Sequence, residues 1–117
     1  MKTKTMPHHY FESSSGLTEE FAAFSKALKS LIKNLLPQDA NLVSFSRGHF
    51  YCSGFIEKHG KFVYFSTSDV RPTWNQSFLI RTASDGKDYR GGANNYTDVE
   101  HFTSRVDLLL SKEHQRV

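Results

Sequence analysis

Four short apolar-aromatic runs, LVSFS, HFYCSGFIE, KFVYFSTS and SFLIRTA, fill Leu42 to Ala83, and turn residues separate them. Each run has the length of a strand and is rich in aromatic and β-branched residues. Periodic helical segments lie before and after this block. The connections between the first three runs are of hairpin length, which makes neighbouring strands antiparallel. The pattern therefore predicts an α+β fold: a four-stranded antiparallel sheet flanked by an N-terminal and a C-terminal helix, in the order α-ββββ-α.

The first helix is the clearest local signal. Thr18 is placed to cap it, and Glu19 and Glu20 complement the dipole of the first turn. Phe21, Phe24, Leu28, Leu31, Ile32 and Leu35 recur at helical spacing and should form one buried stripe, and Pro37 ends the helix. The strands are expected at 42–47, 50–57, 62–67 and 77–82, with Gly60 supplying a positive φ in the Lys58–Lys61 turn. A capping box in Thr97-Asp98-Val99-Glu100 should open the second helix, with Val99, Phe102, Val106, Leu109 and Leu110 as its apolar stripe. Each helix has one stripe to bury, so both should pack on the same sheet face. Pro7, three consecutive serines and Gly16 mark residues 1–16 as a flexible arm, and residues 17–117 form a single domain.

Composition excludes several classes. With 117 residues the chain can bury a core without staples. No apolar run reaches the roughly 18 residues of a membrane span. The N-terminus has Lys2 and Lys4 but no apolar segment after them, so no signal peptide is read. The single cysteine, Cys52, excludes an internal disulfide and a multi-cysteine zinc site. A cytoplasmic, reducing setting follows as the expectation. The formal charge is +3. All of that excess lies in residues 1–61, with eight Lys or Arg against five Asp or Glu; residues 62–117 hold seven of each.

That basic half contains one set of candidate contacts. Lys26, Lys29 and Lys33 share a face of the first helix, which is either a solvated face or a stripe that tracks phosphates. Arg47, Lys58 and Lys61 extend it into the strands. A second set consists of interaction-prone residues. The loop SDVRPTWNQ holds Arg71 and Trp74, the only tryptophan, and Tyr64, Tyr89 and Arg90 complete the set as anchors for a protein partner. Aromatic residues fall on both sides of the second and third strands. The face away from the helices is therefore covered by the arm, covered by a second copy of the chain, or used for binding. The element order matches neither an RRM nor a double-stranded RNA-binding domain. Gly91-Gly92 could form an anion nest, but no Gly-Lys-Ser/Thr follows, and the pair reads as a turn. The six histidines are scattered without metal-ligand spacing, and Cys52 is expected buried and inert. No catalytic residues, no metal site and no cofactor are assigned.

The segments GKFVYFSTSDVR, SFLIRTA and DYRGGANNYT are similar to those of small uncharacterised accessory proteins of phages and conjugative elements. The resemblance covers the C-terminal half of the chain. It implies an accessory protein that binds DNA or inhibits a host enzyme, anti-CRISPR inhibitors included, and it carries no catalytic residues with it. The expectation is thus a small non-enzymatic binding protein of a mobile element, acting by protein contacts. It could inhibit a host defence nuclease or form a homodimer, and no membrane contact is expected. Nucleic-acid binding is the alternative, and a small nuclease the least supported.

Overall fold

Helix α1, Leu17–Leu35, buries the stripe read from its sequence. Phe21, Phe24, Leu28, Ile32 and Leu35 are all buried, while Leu31 is only half-buried. Leu31 lies at the edge of the stripe, where a helical turn of 3.6 residues carries it away from the sheet. The computed structural model describes residues 17–48, 51–67, 70, 76–87 and 92–111. The N-terminal arm lies outside the described residues, as do Arg71, Trp74, Tyr89 and Arg90. The helix is already under way at Leu17, so Thr18 is an internal residue and not its cap.

Five strands follow in a meander, β1-β2-β3-β4-β5, with every neighbouring pair antiparallel. They are β1 (Asn41–Arg47), β2 (Cys52–Lys58), β3 (Lys61–Ser66), β4 (Ser77–Ala83) and β5 (Asn95–Asp98). The β2–β3 connection has two residues, His59 at φ 53° and Gly60 at φ 83°, between the paired Lys58 and Lys61. Two successive left-handed residues match the twist of a hairpin. The Gly60 amide also donates to Glu57 Oε2 at 2.9 Å.

The edge strand β1 carries a bulge. Leu42 pairs with Ile56 and Ser44 with Phe55, so Val43 is the extra residue. The bulge resets the alternation. Leu42 and Phe45, three apart in sequence, both face the helices and pack against the core. Gly54 then pairs with Phe45 on one side and Phe65 on the other.

The sheet was expected to have four strands, and the fifth corrects the reading of Thr97. Thr97 is a buried residue of β5, paired with Phe78, rather than a helix cap. Helix α2, Phe102–Leu110, begins five residues later, and its N-cap residue His101 makes no side-chain cap bond. Asp98 supplies the local turn: its Oδ1 accepts from the His101 amide at 2.9 Å. The apolar stripe of α2 is as read, with Phe102, Val106, Leu109 and Leu110 buried and Val99 buried just before the helix.

Both helices contribute to one core with Cys52, Ile56, Val63, Phe65, Phe78 and Ile80, which share a sheet face. They meet where Thr103 Oγ1 donates to the Leu35 carbonyl at 2.7 Å. Removing a fully buried leucine loses transfer energy and leaves a cavity. Leu28→Ala should therefore lower stability in urea unfolding by about 2–5 kcal/mol, and Lys29→Ala by less than about 0.5 kcal/mol. Equal losses would show that the helix is phased differently.

Candidate anion-binding groove

Helix α1 lies beside β1 with Ala22 and Ser25 on the flank nearest the strand. Ser25 Oγ donates back to the Phe21 carbonyl at 2.8 Å and sits 3.5 Å from Cys52 Sγ. These small side chains leave a shallow groove of about 420 Å³, lined by Ala22, Ser25, Lys26, Lys29, Phe45 and Arg47. Arg47 is the last residue of β1, and its guanidinium lies over the Phe21 ring at 5.9 Å. That contact is a cation–π approach at the outer limit of its range, and the residue stays exposed. Lys26 and Lys29 stand on the helix wall, both exposed. Among the described lining residues three are cations and none is a carboxylate.

Of the six basic residues singled out by sequence, the fold brings Lys26, Lys29 and Arg47 together. Lys33 continues the same helix face one turn on and is exposed. Lys58 is engaged elsewhere, with its Nζ 3.1 Å from Asp107 Oδ1 on α2. Lys61, its hairpin partner, is exposed at the turn. Arg47 pairs with Cys52 at the opposite end of β2, so neither hairpin lysine belongs to the groove.

Of the protein-contact set, Tyr64 is the described member. It is half-buried on the sheet face away from the helices, with Phe55 at 5.3 Å on one side and the Arg81 guanidinium 5.1 Å above its ring on the other. These three are direct cross-strand neighbours. Phe55 is only 8% exposed. Gly86 lies near Phe62 and Val43, so the segment after β4 folds over part of this face. Arg81 was missed by sequence reasoning. Among the described residues its Nε is buried without a hydrogen-bond partner, and its register places it beside Tyr64. Tyr96, on the edge strand β5, is 66% exposed.

Among the described residues two titratable groups are perturbed. Burial pushes the Cys52 thiol up, against smaller opposing effects of the Ser25 hydrogen bond and the Arg47 charge. The Asp98 carboxyl is held below the usual carboxylate range, first by the His101 amide and then by the His101 ring at 2.8 Å. Asp98, Glu100 and His101 bring their polar atoms within 4.8 Å of one another, a proximity that sequence spacing did not suggest. All three are exposed, and the turn before α2 accounts for the hydrogen bonds between Asp98 and His101.

No protein-family model matches the chain, and neither a curated protein nor a solved structure shows significant similarity to it. Among the described residues, no helix is long and apolar enough to cross a membrane.

The Cys52 environment has a direct readout. A thiol whose pKa is raised on folding holds its proton in the native state while the unfolded chain gives it up. Its stabilising contribution is therefore present below the ordinary value of 9.0 and declines as pH rises above it. Native protein at mildly alkaline pH should react with a thiol reagent at least about tenfold more slowly than urea-unfolded protein. Equal rates would place Cys52 at an accessible surface.

Proposed function

We propose that the chain is a non-enzymatic binding protein whose α1–β1 groove holds the phosphate backbone of a nucleic acid. The observation that carries this reading is the meeting of Arg47, from a strand, with Lys26 and Lys29, from a helix. Lysines on one helix face need be no more than a solvated surface. An arginine from a second element, with its guanidinium 5.9 Å from the Phe21 ring and lining the same groove, adds a cation from the strand to those of the helix. Lys33 prolongs the site along the helix.

Each phosphate contact releases counterions, so affinity should fall with salt at a log–log slope of about 0.7–0.9 per contact. Fluorescence anisotropy with a labelled oligonucleotide should give a slope near −2 to −3 for the three groove cations. Arg47→Ala and Lys29→Ala should each lower the magnitude of that slope by about 1. Lys61→Ala should leave both slope and affinity unchanged. Binding that depends on Lys61 as much as on Arg47 would remove the groove from consideration.

Arg81 favours a second reading, in which the opposite sheet face contacts a protein. A buried guanidinium nitrogen without a hydrogen-bond partner is a cost to the folded chain. Arg81 as a residue is only half-buried, and rotation of its side chain would bring the guanidinium to a partner's carboxylate; arginine and tyrosine are frequent anchors at interfaces. Such a contact would serve an inhibitor of a host enzyme and would depend less on salt than phosphate binding does. If Arg81 is kept for binding, Arg81→Met should leave stability unchanged or higher in thermal unfolding. A loss of more than about 1 kcal/mol would assign Arg81 a structural role instead.

A further inference from the structure

We propose that the α1–β1 groove takes single-stranded rather than duplex nucleic acid, with one unpaired base stacked on Phe45; this rests on the nucleic-acid reading above. Three features converge on it. The groove volume of about 420 Å³ is on the scale of a small-molecule pocket, enough for one nucleotide. Phe45 lines the same groove as Lys26 and Lys29 of the helix and Arg47 of the strand. It is half-buried, and Phe65, at 6.3 Å and tilted by 38°, supports it from the core side.

An aromatic ring set between cations is the combination that holds unpaired strands: the base stacks on the ring and the flanking phosphates meet the charges. A duplex offers its phosphates but keeps its base faces stacked on one another, so Phe45 would contribute nothing to duplex binding. Among the described residues the lining contains no amide or carboxylate side chain to read a base edge. Binding should therefore tolerate sequence, with any preference set by stacking and backbone flexibility.

The test compares labelled thymidine and uridine strands of roughly twelve nucleotides with a DNA duplex of the same length, all at low salt. The expected result is single-strand affinity at least about tenfold above that of the duplex. Phe45→Leu should remove most of that advantage, leave duplex affinity unchanged and keep the wild-type circular dichroism spectrum. Phe45→Trp should restore or strengthen single-strand binding, which separates stacking from core packing. Duplex binding as tight as single-strand binding, still lost on Arg47→Ala, would overturn this proposal and leave the nucleic-acid reading intact. A single-strand preference indifferent to both Phe45 variants would overturn it equally. Absence of salt-dependent binding to any of the probes would overturn both readings. The ratio of thymidine to uridine affinity assigns the strand as DNA or RNA.

Discussion

Phe65 can occupy its place only because Gly54 lies opposite it. The two residues pair across β2 and β3, and a side chain on Gly54 would meet the Phe65 ring at 2.8 Å and collide with the Ser44 carbonyl oxygen. With that space open, the ring spreads over β2 and touches three elements. It lies 6.3 Å from Phe45 on β1, and 6.4 Å from both Phe78 on β4 and Phe102 on α2. The last two contacts are edge-to-face, the favoured geometry for aromatic pairs. One fully buried side chain thus ties an edge strand and the second helix to the centre of the sheet. The β1 bulge belongs to the same arrangement. It brings the Ser44 carbonyl close to Gly54 and turns Phe45 inward.

The groove is a consequence of that core. Phe45 lines it, with the Phe65 ring 6.3 Å away on the core side. Ala22 and Ser25 are small where the helix passes the strand, so a gap remains instead of a sealed contact. The charge distribution then separates the two ends of β2. At the hairpin end Lys58 is matched by Asp107. That pair is largely solvent-exposed and contributes little stability, but it neutralises the local charge. At the Arg47 end the groove cations face no carboxylate among the described lining residues. On the opposite face Arg81 stacks on Tyr64, in a row where Phe55 is nearly closed off from solvent.

Sequence periodicity revealed the elements whose burial is one-sided and regular. The α1 stripe, the Lys58–Lys61 hairpin and the α2 stripe all show in the spacing of apolar residues. β5 did not, because Asn95-Tyr96-Thr97-Asp98 buries only Thr97 and has no apolar alternation. The same residues resemble a capping box, since Thr97 and Glu100 have the required spacing. The strand is held by its pairing to β4, a tertiary effect that overrides the local signal. Lys26, Lys29 and Lys33 were legible as a stripe for the same periodic reason. That Arg47 joins Lys26 and Lys29, while Lys58 and Lys61 do not join them, depends on which end of β2 each residue meets. Arg81 was hidden for a related reason: an arginine in a strand gains meaning only from its cross-strand neighbour.

The most direct test of this account is an amide chemical-shift map of the labelled protein as a single-stranded oligonucleotide is added. The account predicts that the perturbed amides centre on Lys26, Lys29, Phe45 and Arg47 and thin out toward the β2–β3 hairpin. A map centred on Tyr64, Arg81 and Tyr96, or one with no shifts under low-salt conditions, would contradict it.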